Sequence, residues 1–349
     1  MANKRNVVAI LGNGHLGLIE QDIPVLKPGA VLVEVKASLV SPGTELGGWR
    51  QLTEEAKNPK KDFKPQPFGY SNAGVISQVG QGVTDFKPGD RVACIGAGFA
   101  QHTNWAVVPH HLCTPLPEKV TFAQGAYAML AATGLQAVRR SGPEIGEFFS
   151  VVGMGLVGQL SAMLLELSGA ITIGWDTIGT RLDIARKWGI HDVAQVGKED
   201  AVEKTKSFTR GAGLDGSIFA FGGDGKSAYE ATYKSMKLSP DGHRMGRIAV
   251  VGGAKLDIPW SPANIDVRIA ARPGAGYHDA AWEFGPDYPA VFMRWTTRTN
   301  VALCIRLIAE GKLAVDGLTT HTIAMKDVDA QISKIIQTPD SILGVVFTM

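Results

Sequence analysis

Three glycines at G-x-G-x-x-G spacing, Gly153, Gly155 and Gly158, stand between a short apolar run and a helix-like run of small residues. Asp176 follows about 20 residues further on. In a chain with 42 glycines the spacing alone means little; the setting gives each glycine a task. Gly153 makes the tight turn, Gly155 lets backbone approach a pyrophosphate, and Gly158 lets the helix lie close on the strand. Met154, Leu156 and Val157 complete the loop and helix start, whose free N–H groups and positive dipole end face phosphates. Asp176 closes the second predicted strand, where a carboxylate accepts ribose hydroxyls and opposes a 2′-phosphate. The chemistry expected is therefore hydride transfer with NAD, while Arg181 lies close enough to keep NADP open as the alternative. A helix-packing turn in an unrelated α/β domain is the plainer alternative.

The elements around this stretch change character along the chain. Up to about residue 120 the sequence alternates short apolar runs with turn residues, among them Val7–Ile10, Val31–Val35 and Phe99–Val108. Asn13-Gly14 fits a hairpin, and a glycine-rich, barrel-like β-domain is predicted. Ala123–Arg140 reads as a helix, and strand and helix then alternate through Arg247–Val251, which predicts a doubly wound parallel sheet with right-handed crossovers. Phe221, Gly222, Val251, Gly252 and Gly253 end later strands of that sheet, where ligands gather; Gly-Gly also suits ordinary turns. After residue 271 come a loop rich in Gly, Tyr, Asp and Trp, a helix from Asn300 and closing strands. The predicted organisation is a nucleotide domain (123–270) inserted into a split β-domain (1–122 and 271–349).

With 349 residues and 45% hydrophobic composition, two full cores are affordable. A formal net charge of +2 offers no electrostatic case for nucleic acid or an anionic membrane. Three scattered cysteines argue against a disulfide framework and a four-cysteine zinc lobe. No apolar run has the length of a membrane span, and no h-region follows Met1. The expectation is a soluble cytoplasmic homodimer or homotetramer acting on a small molecule.

The order of domains is similar to that of the medium-chain dehydrogenase/reductase (zinc alcohol dehydrogenase-like) superfamily. Phe86-Lys87-Pro88-Gly89-Asp90-Arg91-Val92, the Gly153–Gly158 fingerprint with Asp176, Arg181-Leu182-Asp183-Ile184-Ala185 and Leu318-Thr319-Thr320-His321 carry the resemblance along almost the whole chain. It implies a Rossmann-type sheet inserted into a split GroES-like β-barrel catalytic domain, and it places Thr133 beside the nicotinamide. Ser41-Pro42-Gly43-Thr44-Glu45, Asp287-Tyr288-Pro289 with Arg294-Trp295-Thr296, and Ile342–Val346 resemble a branch acting on sugars, glycosides and polyols.

The resemblance also implies a catalytic zinc held through C-G-T-D, G-H-E and a third ligand. Here Pro42-Gly43-Thr44-Glu45 and Gly69-Tyr70-Ser71 stand at the first two motifs, and Met129 at the third place. Proline has no donor, and tyrosine with methionine does not make a zinc site, so no metal is expected. A relocated ion on Glu45, His110 or His111 is the competing reading, although adjacent histidines on a strand point to opposite faces. In the family the C-G-T-D hydroxyl belongs to a proton relay; Thr44 matches it. Tyr70 would then be hydrogen-bond donor or general acid, with Glu45 as orienter. The ordinary alternatives are a strand tyrosine bonded to a carbonyl for Tyr70 and a helix N-cap for Thr44.

Trp49, Asn104, Tyr277, His278, Asp279, Arg294 and Trp295 offer stacking faces and hydrogen-bond groups suited to a polyhydroxylated ring, or pack domain to domain instead. The reaction expected is interconversion of a secondary alcohol and a ketone on such a substrate without zinc. A zinc-free enone or quinone reductase and a non-catalytic dinucleotide-binding protein are the alternatives.

Overall fold

The computed structural model describes residues 4–45, 47, 50–59, 61–258 and 263–349. The chain divides into two compact units, residues 1–132 with 273–349, and residues 133–272.

In the first unit the long strand Ala30–Val40 organises a seven-stranded sheet. Ser71–Val79 pairs along one edge, while Trp105–Pro109 and the chain's last strand, Gly344–Thr348, share the other. The last pairing explains why the C-terminal segment returns: Val345 sits opposite Val40 and Thr348 opposite Ala37. Register shifts in the pairing with Ser71–Val79 bend the sheet towards closure. Lys4–Ile10 and Leu16–Asp22 form the hairpin expected at Asn13-Gly14, and Val8, Leu16, Val40, Ile332 and Phe347 fill the core between them and the sheet.

Two segments depart from the sequence reading, each for a local reason. The strand expected from Phe99 starts only at Trp105. Residues 102–104 cannot serve one ladder because they fasten to several segments: Val8 N–H donates to the His102 carbonyl (2.9 Å), His102 N–H to Phe68 (3.1 Å), and Val35 N–H to Asn104 (3.0 Å). The helix expected over 123–140 is two helices, Phe122–Gly125 and Ala128–Ser141. Its first part belongs to the β-unit, because the Ser71 hydroxyl donates to the Ala126 carbonyl (2.7 Å) and the buried Tyr127 phenol bonds the Thr319 hydroxyl (2.7 Å). The chain therefore leaves the first unit at 132, further along than its change of composition.

The second unit is a six-stranded, wholly parallel sheet. Its order is Asp192–Gln195, Ile171–Asp176, Phe148–Val152, Gly216–Phe219, Met245–Val250 and Asn264–Ile269. The chain steps outward from Phe148–Val152 to one side and then crosses to the other, so the carboxyl ends of Phe148–Val152 and Gly216–Phe219 flank a switch-point crevice. The edge strand Asn264–Ile269 escapes sequence reading because Asp266 and Arg268 interrupt its apolar pattern, as suits an edge. Among the described residues no helix is long and apolar enough to cross a membrane.

Candidate active site

The first unit brings Thr44, Glu45 and Tyr70 together. Ser41-Pro42-Gly43-Thr44-Glu45 folds as one helical turn, Pro42–Glu45. Pro42 occupies the first position, where its missing N–H costs nothing. Glu45 reaches back, its Oε2 accepting from the Ser41 N–H (2.6 Å), and the Ser41 carbonyl accepts from the Thr44 and Glu45 N–H groups (3.2 and 2.9 Å). Thr44 lies inside this turn with Ser41 at its head, so the N-cap role considered for Thr44 falls away.

Tyr70 ends the approach to the strand Ser71–Val79. The preceding Gly69 has φ +119°, and a Cβ there would meet the His102 nitrogen at 2.4 Å; only glycine lets the 101–102 backbone pass so close. The Ser41 and Thr44 hydroxyls come within hydrogen-bonding reach of the Tyr70 phenol. Burial, and next the Glu45 charge, push its proton affinity well above the ordinary phenol range, against a smaller opposing effect of those two hydroxyls. Tyr70 is therefore a neutral donor at every physiological pH. The Tyr277 phenol is close enough to add to that shift and accepts the Ala97 N–H (3.0 Å).

Buried phenols have a consequence for stability. Tyr127, like Tyr70, holds its proton more tightly than an unfolded tyrosine, chiefly through burial. An unfolded tyrosine ionises near pH 10 (about 10), so above that pH the unfolded chain binds fewer protons and folding stability falls as pH rises. The stability is fully present below the unfolded value. The urea midpoint is expected to fall between about pH 9 and pH 11, with a shallower slope in Tyr127→Phe; an identical slope in the variant would count against this origin.

His102 completes this cluster, and sequence reading misses it: one histidine in an apparent strand carries no spacing signal. Its ring is wholly buried, and its Nε2 lies 3.4 Å from Glu45 Oε1. His110 and His111 do not join. They occupy a short 3-10 turn rather than a strand, so their rings stack (centroids 4.1 Å) instead of facing apart. Asp85 and the Gly285 carbonyl engage His110, and the Trp282 carbonyl engages His111.

The side chains at the family's zinc positions do not fit the ion. Pro42 has no donor, Tyr70 offers a phenol in place of an imidazole, and Met129 offers only a thioether. Among the described residues no three His, Cys, Asp or Glu side chains converge as ligands.

In the second unit the dinucleotide residues gather at the strand carboxyl ends. Gly153 takes φ +90°, and Gly155 precedes the helix Leu156–Leu167, whose first N–H groups are open to a ligand. A Cβ on Gly158 would lie 1.8 Å from the Gly153 carbonyl oxygen, and one on Gly252 2.2 Å from the Phe221 carbonyl oxygen. Those contacts draw Gly153, Phe221, Gly222, Val251, Gly252 and Gly253 into one rim. Asp176 Oδ2 accepts the Met154 N–H (2.7 Å) and Oδ1 the Ile178 N–H (2.8 Å), which pins the carboxylate at the loop. The Arg181 guanidinium stands 3.5 Å from it. Thr133 lies on the helix Ala128–Ser141, next to Gly134, over which a Cβ would touch Ser161. Tight glycine turn, open helix start and held carboxylate fit a dinucleotide.

The expected substrate residues divide. Tyr277 bears on Tyr70 only as the smallest influence on its proton affinity, and His278 packs on the Tyr277 ring (centroids 4.2 Å). Asn104 instead fastens strands, its Oδ1 accepting the Asn6 N–H (2.9 Å). Asp279 caps the helix Ala280–Glu283 and accepts the Tyr288 hydroxyl. Arg294 lies over the Trp295 ring (4.5 Å) on an exposed stretch. Trp49 lies outside the described residues.

Residues 27–132 match the family model of the alcohol dehydrogenase GroES-like domain. The uncharacterised zinc-type alcohol dehydrogenase-like protein YdjJ of Escherichia coli is 24% identical, with 99% of each chain covered. The D-guloside 3-dehydrogenase of Shigella flexneri is 24% identical over 84% of this chain and 81% of its own. Among solved structures, an Escherichia coli oxidoreductase/dehydrogenase of unknown specificity involved in membrane biogenesis superposes with a TM-score of 0.77 at 20% identity, covering 99% of both chains. The chain thus carries an alcohol dehydrogenase GroES-like domain over residues 27–132 and is similar to zinc-type alcohol dehydrogenase-like and sugar dehydrogenase proteins along most of its length. The chain is an oxidoreductase that joins this GroES-like domain to a dinucleotide-type parallel sheet.

Proposed function

We propose that this oxidoreductase uses NAD(H), without zinc, to interconvert a secondary alcohol and a ketone on a sugar, glycoside or polyol. The observation that carries the reading is the Tyr70 phenol, held by Ser41 and Thr44 beside Glu45 at the place where the family puts a metal ligand. A nicotinamide dinucleotide, when bound, supplies or accepts the hydride. The protein's own task is the proton. Tyr70 donates a hydrogen bond to the substrate oxygen and, in the reducing direction, its proton; the Ser41 and Thr44 hydroxyls donate to the phenolate oxygen left behind, which regains its proton from solvent. Glu45 keeps Ser41 in place through the backbone N–H. NAD is favoured over NADP by the Asp176 carboxylate, held where a 2′-phosphate would meet its charge. Polyhydroxylated substrates are favoured by the Tyr277–His278 pair close to Tyr70 and by the likeness to a guloside dehydrogenase. A homodimer or homotetramer in the cytoplasm is the proposed setting.

The test mixes purified protein with NAD or NADP and a panel of sugars, glycosides and polyols, with and without chelator. Growth of the reduced-nicotinamide band with NAD that survives the chelator is the expected outcome. Turnover abolished by chelator and restored by zinc would sink the metal-free mechanism. Turnover confined to enones or quinones with NADPH would move the protein to the reductase reading.

A further inference from the structure

We propose that His102 is a positioning residue for this reaction: its imidazole holds the Glu45 carboxylate, and through it the turn that sets Ser41 and Thr44 against the Tyr70 phenol. The inference rests on the reading of Tyr70 as the proton donor. The Glu45 side chain is only 4% exposed. Its Oε2 is taken by the Ser41 N–H (2.6 Å). Its Oε1 faces His102 Nε2 at 3.4 Å, and neither atom has a hydrogen-bond partner elsewhere among the described residues. A buried carboxylate oxygen and a buried ring nitrogen left without counterparts are costly, so among the described residues each satisfies the other.

The imidazole is also fixed in direction. Phe68 and Phe347 clamp it edge-on, with centroids 4.9 and 5.1 Å away, and its Nδ1 is hydrogen-bonded to the Ser38 hydroxyl at 2.8 Å. Ser38 lies on the central strand of the sheet and is itself wholly buried. The line Ser38–His102–Glu45–Ser41 therefore anchors a short helical turn to the central strand of the sheet. A turn of only four residues has little stability of its own; this anchor keeps its two hydroxyls in register with the phenol. Such orientation matters because small misplacements of a reacting group cost rate far more than they cost binding.

Two conservative replacements separate the two ring nitrogens. His102→Gln keeps an N–H donor near the Nε2 position, towards Glu45. His102→Asn keeps a polar group near the Nδ1 position, towards Ser38, and leaves Glu45 alone. His102→Asn is expected to lower kcat about 30-fold with the KM for NAD within about twofold, and His102→Gln less than about fivefold. Both should melt at closely similar temperatures. Equal losses of kcat in the two variants would overturn the assignment. A second readout needs no turnover: in protein labelled with 15N-histidine, the His102 Nε2 resonance, assigned by its disappearance in His102→Gln, is expected to shift in Glu45→Gln. An unmoved resonance overturns the pairing even if the wild type is active. A wild type that oxidises nothing on the panel defeats the proposed function, while the resonance still decides the His102–Glu45 contact.

Discussion

Tyr70→Phe is expected to lower kcat about 100-fold with little change in the substrate KM, at the low end of what a positioned acid contributes. The substitution removes one oxygen and leaves the ring, so packing on the approach to Ser71–Val79 is kept. What it removes is the phenol oxygen that the Ser41 and Thr44 hydroxyls both reach. Because burial and the Glu45 charge hold the phenol protonated, Tyr70 adds no alkaline limb to the ketone-reduction rate between about pH 6 and pH 9. Thr44→Val should cost less than Tyr70→Phe, since Ser41 still bonds the phenol. Steady-state kinetics in both directions decide the matter. A Tyr70→Phe enzyme with kcat within twofold of wild type would remove Tyr70 from the chemistry.

The second large effect falls on the cofactor loop. In Gly158→Ala the new methyl would sit 1.8 Å from the Gly153 carbonyl oxygen, a backbone atom that cannot rotate away. Gly153 is already in the left-handed region at φ +90°, with the Ala220 carbonyl 2.9 Å from where its own Cβ would be, so the turn has no slack to absorb the clash. The helix Leu156–Leu167 must lift from its strand, and its N–H groups move off the phosphate position. NADH affinity, followed by fluorescence titration, should fall about 100-fold, and the melting temperature by about 5 °C.

Gly155→Ala makes the informative contrast. Its Cβ would meet nothing within 4 Å, and its φ of −67° suits any residue. The melting temperature should therefore stay within about 1 °C while NADH affinity still falls, because the added methyl occupies the space a pyrophosphate needs. If Gly155→Ala binds NADH as tightly as wild type, the phosphates do not lie against that turn. Equal melting temperatures for Gly158→Ala and wild type would mean that the helix and turn are not in the contact described.

The cofactor half was legible because every part of it lies within one continuous stretch. Turn, helix start and carboxylate follow one another between Phe148 and Asp176, so local backbone rules are enough to place them. The cluster proposed to handle the proton was legible only by likeness. Thr44, Glu45 and Tyr70 were picked by their places in motifs, and nothing in their spacing says that a phenol meets two hydroxyls. Asn104 shows the opposite failure: a polar residue beside aromatics looks like a sugar contact, yet its amide oxygen closes the first strand at Asn6.

What the amino-acid sequence determined by itself is the glycine turn, the alternation that makes a parallel sheet around it, and the residue types at Pro42, Tyr70 and Met129. These depend on residue type at a position or on neighbours a few residues apart. Only the tertiary structure decided that His102 stands behind Glu45, that Ser41 shares the phenol with Thr44, and that Tyr277 comes up beside Tyr70. Those contacts join residues from 38 to 277 through the long strand Ala30–Val40 and the loop that crosses Gly69. Their separation along the chain leaves no periodicity to read; the packing of that loop makes the site.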